Sequence, residues 1–249
     1  MGTSSSRNAP RGGDWTKAKG TASRFASGTA TASDVASAYV AALGGSRAAS
    51  RGGAGDGGGV GGGRSAFAHT KGTARNLGTF LGGVASQGLD QTLRDFGLGG
   101  LVGKSPPEVL SSIMDAVAGP GALLDEAIAR AALVEVMGEI YDEENTTYQD
   151  LAGSWESGID GDKCVELLEL FLVEAIYQEM LSDLADRIEE HSDSAAITHG
   201  RELELRDHIK EMVRFDLGQS DPLQIKWQGQ EGSKLITRNL EAALAQLEK

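Results

Sequence analysis

The chain has 249 residues, a formal net charge of −13 at pH 7 and only 5% aromatic residues. Its one cysteine, Cys164, excludes an internal disulfide and a metal site made of several cysteines. No apolar run approaches the roughly 20 residues of a membrane-spanning helix, and the first residues lack the hydrophobic region of a secretory signal. We therefore expect a cytoplasmic protein that does not contact a membrane.

Charge and glycine are unevenly distributed along the chain. Residues 1–104 contain 25 of the 35 glycines, with 12 Lys/Arg against 5 Asp/Glu. Residues 105–249 contain 11 Lys/Arg against 31 Asp/Glu. A basic first part can either fold back on the acidic second part or bind an acidic partner.

Residues 1–64 are rich in Gly, Ala, Ser, Thr and Arg. They carry too little apolar surface to offset the entropy of ordering, which predicts a mostly disordered basic arm. Residues 33–43 predict a short helix within it, because Val35 and Tyr39 share one face and Ser33 can cap the start. Nucleic-acid binding by the arginines of the arm is an alternative, although few aromatic residues are present for base stacking.

The first residues have a chemistry of their own. Gly2 is small, so we expect removal of Met1 and exposure of a free α-amine with a pKa of about 8. Such an amine is partly neutral at pH 7 and can attack an activated acyl or nitrile group. Thr3 and Ser4 leave it uncrowded, as a substrate of a modifying enzyme requires. From these residues alone, an ordinary chain terminus remains the alternative.

Residues 72–104 contain a predicted helix, in which apolar residues recur at helical spacing from Ala74 to Val84. Gly78 and Gly82 lie four residues apart on a neighbouring face. An interior glycine costs a helix about 1 kcal/mol relative to alanine. We therefore expect another segment to pack closely against this row and offset that loss.

Residues 97–105, GLGGLVGKS, share part of the pattern of a phosphate-binding loop. Leu98 stands where the first glycine of that loop is required, and no predicted strand precedes it. Ser105 fits better as the N-cap of a helix, with Pro106 at the first helical position and Glu108 closing a capping box. No nucleotide or other cofactor is expected from this stretch.

The acidic part of the chain predicts helices almost throughout. Apolar stripes at helical spacing cover residues 109–117, 124–140, 160–190 and 195–217, and residues 147–157 predict a turn-rich connection. The stripe of residues 160–190 is wide, which predicts a helix buried between others. Cys164 lies in this stripe and is interpreted as a small core residue.

Residues 195–217 also hold Glu204 and His208, four apart on one helix face. This pair could share a metal with a third ligand, but neither an H-E-x-x-H pattern nor a Cys/His grid is present. We interpret both as surface residues and expect no metal site.

Near the C-terminus, Leu223, Ile225 and Trp227 predict a short extended segment packed on the helices, followed by a last helix. The run WQGQEG at residues 227–232 predicts a shaped corner, which either serves packing alone or docks a partner. The candidate docking residues are Gly78, Gly82, Trp227, Gly229 and Gly232.

Four sequence runs carry a family resemblance. They are MGTSSS at the start, residues 74–110 (ARNLGTFLGGVASQGLDQTLRDFGLGGLVGKSPPEVL), residues 176–189 (IYQEMLSDLADRIE) and residues 225–232 (IKWQGQEG). Together they resemble the QatB component of the Qat anti-phage defence systems. The likeness covers most of residues 72–249, whereas the intervening N-terminal tail matches in composition only.

The resemblance implies partners and a modification. QatB-like proteins occur beside an ATPase (QatA), a protein similar to the deazaguanine-synthesis enzyme QueC (QatC) and a TatD-like nuclease (QatD). It implies that the QueC-like protein attaches a deazaguanine group to the N-terminal glycine. Gly2 matches the position that carries the group, and Thr3 and Ser4 match the adjoining recognition residues.

These observations predict an all-α protein, with about seven helices over residues 65–249 behind a disordered basic arm over residues 1–64. We expect a non-enzymatic defence component that presents Gly2 to a QueC-like enzyme while the helical body docks that enzyme or the ATPase. One alternative is a scaffold or regulatory subunit without N-terminal modification. The other is a nucleic-acid-binding sensor that uses the basic arm.

Overall fold

The computed structural model of the protein describes residues 12–51 and 66–249. Regular structure within these ranges is entirely helical, which confirms the predicted all-α class. In the described part of the chain, a 3₁₀ turn at Gly99–Leu101 accompanies the α-helices. The helices are α1 Gly13–Ala26, α2 Ala32–Ala42, α3 Ser46–Arg51, α4 Ala68–Gln87, α5 Leu89–Asp95, α6 Pro106–Ala118, α7 Leu124–Ile140, α8 Tyr148–Gly158, α9 Gly161–His191, α10 Ala195–Met212 and α11 Gln230–Leu247.

The core is arranged around α9, which packs against α1, α4, α7 and α10. Every residue from Phe171 to Tyr177 is buried, so this part of the helix is covered on all sides. The wide apolar stripe correctly predicted that arrangement. At its start, the Asp160 side chain accepts a hydrogen bond from the Lys163 backbone N–H at 2.8 Å and caps the helix.

The structure corrects the extent of the predicted disordered arm. Residues 12–51 form three helices, and α1 buries Trp15, Ala18, Ala22 and Phe25 against the rest of the molecule. These residues recur at helical spacing, and the alanines let α1 lie close to α2 and α9. The prediction of disorder is therefore wrong for residues 12–51. Residues 1–11 and 52–65 lie outside the described ranges.

The short helix predicted at residues 33–43 is confirmed as α2, which buries Val35, Tyr39 and Val40. Its cap is Thr31 rather than Ser33. The Thr31 hydroxyl accepts from the Asp34 backbone N–H at 3.2 Å, and the Asp34 carboxylate accepts from the Thr31 N–H at 2.8 Å. This reciprocal pair forms a capping box and satisfies two N–H groups at the helix start.

Ion pairs and a hydrogen bond tie the basic α3 to α11 and the residue that follows it. Arg51 Nη2 lies 3.1 Å from Glu241 Oε2, Arg47 Nε lies 3.6 Å from Glu241 Oε1, and the Ser46 backbone N–H donates to Glu248 Oε2 at 3.3 Å. Within the described part of the chain, the basic half thus folds back on the acidic half. The predicted boundary between residues 64 and 65 does not separate two packing units.

The start of α6 follows the sequence prediction. Pro106 is its first residue, and the Glu108 carboxylate accepts hydrogen bonds from the Ser105 hydroxyl at 2.8 Å and the Ser105 backbone N–H at 3.4 Å. The proline needs no hydrogen-bond partner at this position because it has no N–H. Because the Ser105 hydroxyl is bonded to Glu108 in this cap, it is not placed to serve a phosphate-binding loop.

Three segments differ from the sequence predictions. The connection predicted at residues 147–157 is α8, capped by Thr147 and Asp150. The helix predicted to reach Leu217 ends at Met212, and residues 213–217 have no regular secondary structure. Residues 221–229 form turns rather than an extended segment. None of the described helices combines the length and apolar character needed to cross a membrane.

Candidate functional site

The five predicted docking residues meet at one place, between α4 and the turn before α11. We call this group, made of Gly78, Gly82, Trp227, Gly229 and Gly232, the Trp227 corner. The Trp227 side chain is buried, with only 4% of the residue exposed. A Cβ atom on Gly78 would lie 2.5 Å from Cδ2 of its ring, and one on Gly232 would overlap its backbone carbonyl. Gly78 therefore accommodates the indole ring of Trp227, and Gly232 accommodates the Trp227 backbone.

Hydrogen bonds fix the Trp227 corner to α4 and α6. Gln228 Nε2 donates to Asn76 Oδ1 at 2.8 Å, and Asn76 Nδ2 donates to the Val117 carbonyl oxygen at 2.9 Å. Trp227 Nε1 donates to the Pro222 carbonyl oxygen at 3.3 Å. The predicted packing role of the corner is confirmed by these contacts, and its predicted docking role stays a prediction.

A cleft of about 300 Å³ opens beside the corner. Its α4 wall carries Thr79, Gly82 and Ser86, and its other wall includes Leu223 and Gln228. A Cβ atom on Gly82 would meet only Trp227 Nε1, at 3.9 Å, which is an ordinary contact. Packing therefore explains the absence of a side chain at Gly78 but not at Gly82.

A buried acid joins α7, α9 and α10. Glu174 on α9 is 1% exposed, and Arg206 Nη2 lies 2.8 Å from its Oε1 and 2.5 Å from Glu135 Oε2. Glu174 Oε2 has no hydrogen-bond partner within the described structure. Burial raises the pKa of Glu174 above its ordinary value of 4.5, although the hydrogen bond from Arg206 opposes the shift.

Sequence reasoning missed Glu174 because it lies within the apolar stripe of α9 and its partner is 32 residues away. A charged residue on an otherwise apolar helix face was the available signal. The contact from Arg206 holds three helices together, and a buried carboxylate that lost this partner would carry a large desolvation cost.

The other chemistry-bearing residues occupy structural positions. Cys164 is 2% exposed, and burial raises the pKa of its thiol to about 12, which confirms its interpretation as a core residue. Glu204 accepts from Arg201 Nη1 at 2.7 Å, whereas His208 is half-buried on the following turn. Within residues 12–51 and 66–249, no group of three or more His, Cys, Asp or Glu side chains is arranged to hold a metal ion.

Gly2, Thr3 and Ser4 lie outside the described residues, but the structure shows where their segment joins the body. The chain enters α1 through Gly12, whose φ of 147° suits glycine. Trp15 then packs edge to face on Tyr39, with 5.6 Å between the ring centroids. The Tyr39 hydroxyl donates to Asp183 Oδ2 at 3.0 Å, so α1 begins beside the C-terminal half of α9.

Fold and candidate site together define an all-α protein with a packed tryptophan–glycine corner and an N-terminal helix anchored on a central helix. The family model described as Qat anti-phage system associated protein QatB matches residues 58–247. The match covers more than half of the chain, and the chain belongs to the QatB family. It is therefore a component of a Qat anti-phage defence system. No curated protein and no solved structure matches the chain.

Proposed function

We propose that this protein is a non-enzymatic, cytoplasmic component of its Qat system whose N-terminal glycine is the substrate of a QueC-like partner. The observation that carries the proposal is membership of the QatB family, in a chain whose second residue is Gly2 and whose next residues are small. Thr3 and Ser4 serve as recognition residues beside the amine. The helical body docks the modifying enzyme or the ATPase QatA.

The chemistry needs only a neutral amine from this chain. The lone pair of the Gly2 nitrogen attacks the carbonyl carbon of an acyl group that the partner has activated. A carbon–nitrogen bond forms, the activating group leaves with its bonding pair, and the nitrogen releases one proton. An α-amine with a pKa of about 8 supplies enough of the neutral form near pH 7.5.

Docking of the body would raise the local concentration of the amine at the partner's active site. A tethered group reaches an effective concentration on the order of millimolar without any additional contact. The Trp227 corner with its cleft is one candidate surface for such a partner, because Gly82 leaves space there that packing does not require.

Intact-mass analysis after co-expression with QatC tests the modification. We expect a mass gain on the first peptide of the wild type and none on Gly2→Pro, whose ring adds bulk directly at the attacking nitrogen. Ala9→Pro is the matched control, since it introduces the same residue into the same segment and leaves Gly2 intact. A wild-type chain with no mass gain, or a Gly2→Pro variant that gains the same mass, would contradict the proposal.

A phage-protection assay distinguishes this proposal from the alternative that the protein is a scaffold and does not need its first residues. Deleting residues 2–6 should abolish protection if modification is required and leave it unchanged for a pure scaffold.

The nucleic-acid alternative has less support from the structure, because Arg47 and Arg51 are paired with Glu241 and Lys71 Nζ donates to the Ser50 carbonyl oxygen.

A further inference from the structure

Helices α10 and α11 each have 18 residues, but they are packed on the body very differently. Eight residues of α11 are buried, whereas only Leu205 and Ile209 of α10 are. Two further apolar side chains of α10, Ile197 and Leu203, are 40% and 42% exposed. Burial of an apolar face supplies most of the free energy that holds a helix on a protein body. By this measure α10 is held much more weakly than α11.

The first part of α10 has the fewest contacts with the body. Of residues 195–200, only Thr198 is even partly buried, and the preceding Asp193 and Ser194 are exposed. Gly200 lies inside the helix, where a glycine lowers helix stability relative to alanine. A Cβ atom at Gly200 would meet nothing within 4 Å, so packing does not require the glycine. This end of α10 can therefore leave the body without exposing a buried side chain of its own.

Two polar contacts of α10 each leave a buried atom unsatisfied. Arg206 Nε donates to Glu174 Oε1 on α9 at 2.8 Å, but Glu174 Oε2 has no partner among the described residues. The Arg201 guanidinium lies 5.3 Å from the centroid of the Phe25 ring on α1, and its Nε is likewise buried without a partner there. These are two of the four such side-chain atoms in the described ranges. Water can reach both once α10 moves away, which lowers the free-energy cost of opening.

We propose that α10 is a strap that opens while the rest of the helical body stays folded. The chain after the strap stays anchored, because Val213 is fully buried and Phe215 is only 6% exposed. The open state exposes Leu205, Ile209 and the Glu174 carboxylate, which are buried in the closed state. Two such states form an equilibrium that a partner can shift if it binds the open state more tightly than the closed one. The inference does not depend on the modification of Gly2.

Hydrogen exchange of the full-length protein, followed by mass spectrometry, tests the opening directly. Peptides that cover residues 201–209 of α10 are compared with peptides that cover residues 235–244 of α11. We expect protection factors at least about thirtyfold lower in α10, because its amides exchange through a local opening and those of α11 through a larger unfolding. Equal protection of the two helices in the wild type would overturn the inference.

The Arg206 contact provides a second test. Arg206→Ala leaves the Glu174 carboxylate buried without its partner, and opening returns that carboxylate to water. Exchange in α10 should become at least about tenfold faster, while exchange in α11 should change by less than about twofold.

Lys210→Ala is the matched control, because it removes one positive charge from an exposed position of the same helix. Its exchange in α10 should stay within about twofold of the wild type, as expected for an exposed residue. An Arg206→Ala variant that speeds exchange equally in both helices, or in neither, would overturn the inference.

Discussion

At the scale of single residues, the contact between Gly78 and Trp227 decides whether α4 can pack. Gly78→Ala should lower the free energy of unfolding by about 1–3 kcal/mol, because the added methyl group overlaps the indole ring. Gly82→Ala, one turn along the same helix, makes only an ordinary contact with Trp227 Nε1 and should raise stability by up to about 1 kcal/mol. Urea denaturation measures both, and a Gly78→Ala variant as stable as Gly82→Ala would contradict the packing account.

The cleft beside Gly82 gives a related prediction for docking. Gly82→Leu should fill part of the cleft while the protein stays folded, so it should weaken binding of any partner that uses the Trp227 corner. Pull-down of the Qat partners with this variant, compared with Gly82→Ala, provides the measurement. Equal recovery of every partner by both variants would remove the corner from the docking surfaces.

Glu174 predicts a specific dependence of stability on pH. Because burial raises its pKa in the folded state, the unfolded state releases this proton first, and stability falls as pH rises from 4.5 through the folded pKa. Glu174→Gln removes this titration. The free energy of unfolding of the wild type minus that of the variant should therefore be larger at pH 5 than at pH 7.5. A difference that is equal at both pH values, or larger at pH 7.5, would contradict the assignment.

At the scale of helices, α1 is part of the core. Phe25→Ala should lower the free energy of unfolding by about 3–5 kcal/mol, because the ring is fully buried. Lys17→Ala, at an exposed position of the same helix, should change it by less than about 0.5 kcal/mol. Denaturation of both variants is the measurement, and a disordered arm would show no effect in either.

Helix patterns in the sequence predicted the elements whose signals are local. The cap at Ser105 and the stripe of α9 depend on residues a few positions apart, and both were correct. In α1 and α8, a composition rich in small and polar residues obscures the helical periodicity. Trp15 and Phe25 repeat in register with two alanines, and Thr147 with Asp150 has the spacing of a capping box. The periodic signal was therefore present in both segments.

The candidate site could be predicted only in part. A row of glycines inside a helix indicates that another segment packs closely against that face. Gly78 therefore predicted a close contact but not the residue that makes it. The partner, Trp227, lies about 150 residues further along the chain, and no local pattern connects the two. The same holds for Glu174 and Arg206, whose pairing depends on how α9 and α10 fold together.

At the scale of the whole molecule, the described chain forms one helical body that includes its own basic N-terminal helices. The QatB family match begins at residue 58, yet α1 and α2 pack on α9 and α10 within the matched region. The described body therefore begins at Gly12, ten positions after Gly2, and not after residue 64.

The modification of Gly2 is the claim on which the functional account depends most. Its most direct test is tandem mass spectrometry of the first proteolytic peptide, from protein purified with its QueC-like partner present and from protein made without it. The account predicts an added group on the Gly2 nitrogen only when the partner is present. An unmodified Gly2 under both conditions, in a system that still protects against phage, would contradict it.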